Sequence, residues 1–373
     1  MISFVWSSKY PFYSGTGGSE NYTAGQIREL KRRGIEARII TLGHGKNDGR
    51  EDFPDIDFHD IASKEELSDL DDTLVFITYP LAVKTKRPSY VILHCPPPKY
   101  MQDDDQFDPV GMKGKRVITT SRFALRLWAG YYAKTVTRTG VVYPFADDAF
   151  AAVQRSSEPH KSLKILFAGR LTADKGIYTL LAALHMSAMR ELDYTLTATT
   201  AGIKSESGRL IAKLLRAHPL VKLVPARRSP AQMARLMAEH DIVVMPSSNI
   251  FWQETFGMLS VEAQHAGCRV VASKTGGIPE TDCGGLLTVK PDNPLALAEG
   301  LVRAAKLGPL TAAERDRVRR KFTIEQSVNA LLRVMNLDGG LARTIRLHEP
   351  LKRLPRLPGG RVLLNPHSKR QIV

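Results

Sequence analysis

Two glutamates eight positions apart, Glu254 and Glu262, have the types and spacing to act on one ligand. They bracket the segment ETFGMLSVE, which follows the apolar run Ile242 to Met245 and leads into a helical pattern that stops at Gly267. A helix N-terminus carries unpaired N–H groups and about half a positive charge, so it attracts phosphate or hydroxyl groups. On one continuous helix the carboxylates would lie about 80° apart and contact one extended ligand. The alternative is that Glu254 satisfies the helix dipole and Glu262 faces solvent.

Two basic residues, Arg170 and Lys175, lie in the segment GRLTADKG after another apolar strand. The carboxyl edge of a parallel sheet is where open α/β proteins bind ligands. Arg can hold phosphate oxygens through paired hydrogen bonds and Lys adds a point charge, which suits a diphosphate leaving group. Taken alone, a surface Arg and Lys after a strand is the simpler interpretation. The segment GGIPE at Gly276 to Glu280, after the apolar strand Val270 to Ala272, alone indicates only a loop.

The elements that must position these groups are apolar strands separated by helical patterns, which is typical of an α/β protein. In the first half the pattern predicts strands near residues 2–6, 36–41, 74–77, 90–93, 116–119 and 140–142. Gly17 and Gly18 follow the first strand and precede a helix predicted over Tyr22 to Arg32. His94 directly follows the strand that ends at Leu93. A lone His in that position is more often structural than functional.

In their order along the chain, these motifs resemble the family-4 retaining glycosyltransferases. The resemblance covers residues 1 to about 336, and GRLTADKG, MPSSNIFWQETFGMLSVEA and GGIPE carry most of it. Gly17-Gly18-Ser19-Glu20 is similar to the glycine loop of the family, and Ile92-Leu93-His94 to its strand-end histidine. The resemblance implies an α/β protein of the GT-B fold, with two facing Rossmann-like domains and a cleft between them.

The resemblance also implies a domain order. Residues 1–145 are expected to form an N-terminal Rossmann-like acceptor domain, and residues 151–322 a C-terminal Rossmann-like nucleotide-sugar donor domain. A helix over residues 323–336 should cross back to the first domain. Residues 337–373 form a basic tail rich in Pro and Gly, predicted to be irregular.

Site roles follow from the same resemblance, residue by residue. Arg170 and Lys175 are expected to hold the diphosphate, with Glu254 and His94 at the sugar, and these four form the predicted catalytic set. The predicted donor-binding residues are Gly17, Gly18, Arg227, Phe256, Gly257, Met258, Leu259 and Glu262. Among them Glu262 is expected to bind the ribose hydroxyls, and Arg227 belongs to the segment at the position of the base.

The chemistry implied is metal-independent transfer of a hexosyl group, with retention, from a nucleoside-diphosphate sugar to an acceptor hydroxyl. No cofactor is expected, and the nucleotide sugar is a substrate. Two alternatives remain: a binding module for nucleotide sugars, and a non-transferase GT-B enzyme of the epimerase or phosphorylase kind. The acidic triplet Asp103, Asp104 and Asp105 is assigned to the acceptor side as a site for a cationic acceptor. An exposed acidic loop is the simpler interpretation of that triplet.

The net charge of +15 lies entirely in residues 151–373, because basic and acidic residues balance in residues 1–150. Basic stretches attract anionic lipid headgroups, so peripheral contact with an anionic membrane is one expectation and a solvated surface the other. Aromatic residues are not interleaved with the basic ones, and no nucleic acid partner is expected. The first residues are typical of a strand, and no apolar run is long enough to span a membrane. A cytoplasmic location is therefore expected, including the inner face of the membrane.

Overall fold

The computed structural model describes residues 1–13, 18–98, 107–131, 139–155, 160–250 and 253–336. Within these ranges the chain forms two parallel β-sheets with helices packed around them. The strands are β1 (Ile2–Trp6), β2 (Ala37–Leu42), β3 (Phe58–Ile61), β4 (Thr73–Ile77), β5 (Tyr90–Leu93), β6 (Arg116–Thr119), β7 (Thr139–Val141), β8 (Leu163–Phe167), β9 (Tyr194–Thr199), β10 (Val221–Val224), β11 (Ile242–Met245), β12 (Arg269–Ser273) and β13 (Leu286–Val289). The helices are α1 (Gly18–Arg32), α2 (Arg122–Tyr131), α3 (Asp148–Ala152), α4 (Ile177–Leu184), α5 (Ser187–Arg190), α6 (Glu206–Arg216), α7 (Pro230–Ala238), α8 (Met258–His265), α9 (Pro294–Leu307), α10 (Ala312–Val318) and α11 (Ile324–Met335).

Each sheet reverses its strand order at one place. The first sheet runs β3-β2-β1-β4-β5-β6-β7 and the second β10-β9-β8-β11-β12-β13. The chain therefore moves to one side after β1 and returns on the other side at β4, and it does the same after β8 and at β11. Ligands of open α/β sheets bind at the carboxyl ends of the strands beside such a reversal. This topology puts the loops after β1, β8 and β11 at the ligand-binding edges.

The predicted strands of the first half all form, each within one residue of its predicted ends. These strands are detectable in the sequence because both faces of a parallel sheet are covered, which makes the central strands nearly continuous apolar runs. Every residue of β1, β5 and β11 is buried. The edge strand β3 was not predicted, since its sequence FHDI has polar residues in the middle and is only partly buried. Helix α1 begins four residues earlier than predicted, at Gly18.

The last described helix, α11, packs on the first sheet although it follows the second in sequence. Thr323 and Gln326 form a capping box at its start, which fixes where the helix begins. Val328 and Leu331 of α11 are fully buried in the same core as the β1 and β5 side chains. Its far end is held by Tyr90, whose hydroxyl donates to the Met335 carbonyl oxygen at 3.2 Å.

The two crossings between the sheets meet at a cluster of three aromatic rings. Tyr143 lies on the first crossing and Phe322 on the second, with ring centroids 5.5 Å apart. Phe256, beside the start of α8, lies 5.8 Å from Tyr143 and 5.5 Å from Phe322. The crossings are also joined by a hydrogen bond from the Ala146 amide to the Phe322 carbonyl oxygen at 3.1 Å. The two crossings, which we call the hinge, therefore pack through these rings against the segment that carries Glu254.

No helix among the described residues is both long enough and apolar enough to cross a membrane.

Helix α1 depends on a glycine where it meets the first crossing. A Cβ added to Gly25 would lie 2.4 Å from Cζ of the buried Phe145 ring. We expect Gly25→Ala to destabilise the chain by about 1 to 3 kcal/mol, the usual cost of overpacking, measured by urea unfolding.

Gly130→Ala in α2 is the matched control, because no described atom lies within 4 Å of its added Cβ. Alanine is the better helix former, so this variant should be unchanged or more stable by up to about 1 kcal/mol. Equal unfolding midpoints for the two variants would show that Phe145 moves aside without cost.

Candidate active site

The loops after β8 and β11 are locked together at the edge of the second sheet. Gly176 has φ of 68°, and a Cβ added to it would lie 1.7 Å from the Pro246 carbonyl oxygen, so this contact requires glycine. The Ser248 amide donates to the Asp174 carbonyl oxygen at 2.9 Å. This packing brings Lys175 and Glu254 to one place, although they are 79 residues apart in sequence.

Lys175 and Glu254 form a close ion pair. The Lys175 Nζ donates to Glu254 Oε1 at 2.5 Å and lies 3.6 Å from Asp174 Oδ2. Both side chains of the pair are largely shielded, at 18% and 17% exposure. The Ser247 hydroxyl also donates to Glu254 Oε1, at 3.3 Å. Glu254 is therefore held in place as a hydrogen-bond acceptor, and Lys175 is a fixed positive charge beside it.

Arg170 is positioned quite differently from Lys175. Its side chain is 62% exposed, and its guanidinium group makes one long ion pair of 3.8 Å with Asp174 Oδ2. Exposed ion pairs of this kind contribute little to stability. The structure thus keeps Arg170 near Lys175 without fixing it, so its guanidinium group has freedom to turn toward an anion.

Glu254 does not lie on the helix that carries Glu262, and the predicted 80° relation between the two carboxylates is wrong. Helix α8 begins only at Met258, because Gly257 adopts a φ of 105° that turns the chain into the helix. Glu254 therefore belongs to the preceding loop. The Glu254 carbonyl oxygen accepts from the Gly277 amide at 2.7 Å, so a backbone hydrogen bond joins the GGIPE segment to that loop. The sequence spacing alone could not show this turn.

The N-termini of α1 and α8 meet across the cleft. Gly18 is the first residue of α1 and Met258 the first of α8, and a Cβ added to Gly18 would lie 2.7 Å from Met258 Sδ. The first amides of any helix have no partner within the helix, and both helix dipoles are positive at this end. Gly257 has no side chain that could cap α8. The amides of Met258 and Leu259, in the first turn of the helix, therefore receive no side-chain cap from this position. Gly17 lies outside the described residues.

Glu262 lies on the second turn of α8 and is partly buried. Burial raises the pKa of its carboxyl from 4.5 to about 7, and the nearby charge of Asp147 adds to the effect. Within the described part of the chain, no hydrogen bond or ion pair holds this carboxyl. A carboxyl group of this kind can donate or accept near neutral pH, which suits the paired hydroxyls of a ribose.

His94 reaches the same region from the first domain. Its carbonyl oxygen accepts from Thr255 Oγ1 at 2.7 Å, which joins the end of β5 to the residue after Glu254. The His94 ring lies edge-to-face with Tyr22 at 5.0 Å, and burial lowers the pKa of the imidazole to about 3. The ring is thus neutral, and its buried Nε2 has no hydrogen-bond partner among the described residues.

Other predicted site residues lie apart from this cluster or outside the described ranges. Arg227 lies between β10 and α7, partly exposed, and among the described residues nothing connects it to Lys175 or Glu254. The Phe256 ring belongs to the hinge cluster, although its amide lies near the start of α8. The acidic triplet Asp103, Asp104 and Asp105 and the basic tail 337–373 lie outside the described residues.

Part of the basic excess near residue 318 is used inside the second domain. Arg315 donates to the Leu310 carbonyl oxygen at 2.6 Å, and Arg319 donates to the His265 carbonyl oxygen at 3.2 Å. Arg315 thus holds the chain just before α10, and Arg319 fastens the turn after α10 to the end of α8. Both side chains therefore have a structural role in the second domain.

Two residues that connect the two domains beside the site, Glu280 and Ser121, were not among the predicted site residues. Glu280 accepts hydrogen bonds from the start of α2, and Ser121 donates to the Thr255 carbonyl oxygen at 2.5 Å. Glu280 was visible as the last residue of GGIPE, but its partners lie more than 130 residues away. No local sequence pattern predicts a contact between residues so far apart in the chain.

Comparison with known proteins places these features in context. Residues 162–306 match the family model described as glycosyl transferases group 1. A D-inositol 3-phosphate glycosyltransferase of Corynebacterium jeikeium is 33% identical over 186 residues, covering 45% of this chain and 43% of that protein. A lipopolysaccharide 1,2-N-acetylglucosaminetransferase of Salmonella typhimurium is 35% identical over 124 residues, 31% of each chain. The chain thus spans less than half the length of these two relatives.

Solved structures match over nearly the whole chain. A glycosyltransferase from Rickettsia africae covers 91% of this chain and 99% of its own, with a TM-score of 0.69 and 18% identity. Anabaena HepE in complex with UDP covers 90% and 99%, with a TM-score of 0.65 and 16% identity. These similarities, with the two parallel sheets, confirm the predicted GT-B fold.

The raised pKa of Glu262 gives the stability of the chain a specific pH dependence. Folding raises this pKa from 4.5 to about 7, so the folded chain binds the proton more tightly than the unfolded chain. The resulting stabilisation is complete below the unfolded-state pKa and is lost as the pH rises to about 7. We expect wild type to lose about 1 to 3 kcal/mol of this contribution between pH 4.5 and 7.5, relative to Glu262→Gln.

Urea unfolding of both proteins across this pH range measures the difference. Glu239→Gln, at an exposed position, is the control, and its free energy of unfolding should depend on pH as that of wild type does. Parallel curves for wild type and Glu262→Gln would contradict the predicted burial of a neutral carboxyl.

Proposed function

We propose that this chain, a family-4-like glycosyltransferase with the GT-B fold, moves a hexosyl group from a nucleoside-diphosphate sugar to an acceptor hydroxyl with retention of configuration. The observation that carries the proposal is the meeting of two helix N-termini at Gly18 and Met258, beside Lys175 and Glu254. Glu254, the partner of Lys175, is four residues before Met258, so the proposal places helix amides from both domains and a fixed ammonium group at one ligand. Their combined positive potential suits a diphosphate.

In this proposal Lys175 and Arg170 hold the diphosphate of the donor. Lys175 is pre-positioned by its pair with Glu254, and Arg170 has the freedom to close on the phosphate oxygens. The amides at the start of α8, with Gly17 and Gly18 from the first domain, contact the phosphates. Glu262 takes the ribose hydroxyls. Uracil is the first base to test, since Anabaena HepE, a protein of the same fold, is described in complex with UDP.

The sugar would lie between Glu254 and His94. Thr255 joins the two sides at this point, since its hydroxyl donates to the His94 carbonyl oxygen. The buried Nε2 of the neutral His94 can hydrogen-bond a sugar hydroxyl or the acceptor. The paired Glu254 carboxylate can accept from another hydroxyl. An ion-paired carboxylate is a weak nucleophile, and the proposal therefore assigns Glu254 a binding role.

The transfer itself breaks the bond between the anomeric carbon and the phosphate oxygen and forms a bond to the acceptor oxygen on the same face. The proton of the acceptor hydroxyl passes to the departing phosphate oxygen, and a nucleoside diphosphate leaves. The chain stabilises the negative charge that develops on that group through Lys175, Arg170 and the helix amides. These groups supply positive charge at the leaving group, so the proposed reaction is metal-independent.

The donor site can be tested by thermal unfolding of the full chain with UDP, GDP, ADP and dTDP in the presence of EDTA. A nucleotide at a hundredfold excess over its dissociation constant should stabilise the native chain by about 2.7 kcal/mol. Lys175→Ala and Glu262→Ala should lose this stabilisation, because they remove the phosphate and ribose contacts.

Lys306→Ala, an exposed lysine on α9, is the matched control and should keep the wild-type response. Stabilisation by one nucleotide that both site variants lose would identify the base. The absence of any response to all four nucleotides would contradict the proposed donor site.

Stereochemistry gives an independent test. With an α-linked donor sugar, the nuclear magnetic resonance spectrum of the product should show an α-glycosidic linkage, and EDTA should leave the rate unchanged. A β-linked product would overturn retention, and loss of activity in EDTA would overturn metal independence.

A further inference from the structure

Glu280 connects the two domains through its carboxylate. It lies in a short 3-10 turn over Ile278–Thr281, and its two oxygens accept three hydrogen bonds from the first half of the chain. The donors are the Phe123 amide at 2.6 Å, the Arg122 amide at 2.9 Å and the Tyr143 hydroxyl at 2.8 Å. The carboxylate is partly buried between the domains.

These contacts make Glu280 the cap of a helix in the other domain. Arg122 and Phe123 are the first two residues of α2, whose amides have no partner within the helix. The third amide, of Ala124, is taken by the Ser121 hydroxyl oxygen at 2.9 Å. A carboxylate at a helix N-terminus is favoured by the dipole and by charge-assisted hydrogen bonds. Glu66 is a local counterpart, since its carboxylate accepts from the amides of Ala62 and Ser63 at the start of its own 3-10 turn.

The turn that holds Glu280 is rigidly attached to the loop of Glu254. The Gly277 amide donates to the Glu254 carbonyl oxygen at 2.7 Å. A Cβ added to Gly276 would lie 2.1 Å from the same oxygen, so the two backbones are in direct contact. Displacing Glu280 would therefore displace Glu254.

A second link runs in parallel a few residues away. Ser121, at the start of α2, donates to the Thr255 carbonyl oxygen at 2.5 Å, and the Thr255 hydroxyl donates to the His94 carbonyl oxygen at 2.7 Å. The two links tie α2 and the end of β5 to Glu254, through the Gly277 amide, and to Thr255. The Glu280 carboxylate is the charged member of this set and is bonded to three donors.

We propose that Glu280 is an interdomain positioning residue, which holds the cleft closed by capping α2 and so keeps Glu254 opposite His94. It touches neither proposed substrate and acts through the backbone of the Glu254 loop. Its predicted effect on the rate rests on the proposed function, whereas its effect on the two segments it joins does not.

The test compares hydrogen–deuterium exchange of the full chain in wild type, Glu280→Gln and the control Glu66→Gln. Loss of the charged cap should speed exchange by about tenfold or more at the first amides of α2, the range expected for one charge-assisted hydrogen bond. Exchange should also rise across residues 254–258, because that loop loses its anchor to the first domain. Glu66→Gln should change neither segment. Faster exchange at α2 alone would overturn the proposal, since it would show Glu280 to be only a local cap.

Kinetics provide the second readout. Glu280→Gln should retain stabilisation by the nucleoside diphosphate that stabilises wild type, because Lys175 and Glu262 remain, while kcat falls by about ten- to hundredfold. Tyr143→Phe removes one of the three hydrogen bonds and should show a smaller loss. Unchanged kcat in Glu280→Gln would overturn the positioning role. If wild type responded to no nucleotide, the proposed function would fail, and the exchange result would still decide whether Glu280 joins the two domains.

Discussion

The close approach of Gly18 to Met258 is the contact on which the arrangement of the cleft depends. A Cβ at residue 18 would lie 2.7 Å from the Met258 Sδ, so any larger residue there would require the Met258 side chain to move. Two helix N-termini facing one space repel each other electrostatically unless an anion lies between them. The two helix ends therefore favour a negatively charged group, which is the place that the proposed function gives to the donor diphosphate.

Lys175 has protein partners for its charge before any ligand binds. It lies between the carboxylates of Glu254 and Asp174, which offset the cost of shielding an ammonium group from water. In the proposed function the diphosphate shares Lys175 with these carboxylates. Glu262 is the contrasting case, since burial favours its neutral form near pH 7. Two glutamates of one motif therefore have different surroundings, because Glu254 is paired with Lys175 and Glu262 has no cationic partner among the described residues.

The hinge and the site share residues, which couples domain position to chemistry. Phe256 packs with Tyr143 and Phe322, the residues at which the chain crosses between domains. Tyr143 also donates to Glu280, so one side chain belongs to both the hinge cluster and the contact that caps α2. Rotation of one domain against the other would disturb these aromatic contacts within a few residues of Glu254.

Local sequence determined much of this protein. The strands that were predicted form to within a residue, because parallel strands covered on both faces must be apolar. The strands β3, β9, β10 and β13 were not predicted, and β3 is a polar edge strand. The motifs containing Lys175 and Glu254 were recognisable as site segments because strand ends, glycines and charged residues adjoin in sequence. The GT-B fold was implied by the resemblance of these motifs, taken in their order along the chain, to a known family.

Tertiary structure decided how those segments face one another. The turn at Gly257 separates Glu254 from α8, and whether a glycine takes φ of 105° or continues a helix depends on packing against Ile278. The pairing of Lys175 with Glu254 and of Glu280 with α2 joins residues 79 and about 157 positions apart. Such contacts are set by strand order and domain closure, and a hydrogen bond across that separation leaves no periodicity in the sequence between its ends.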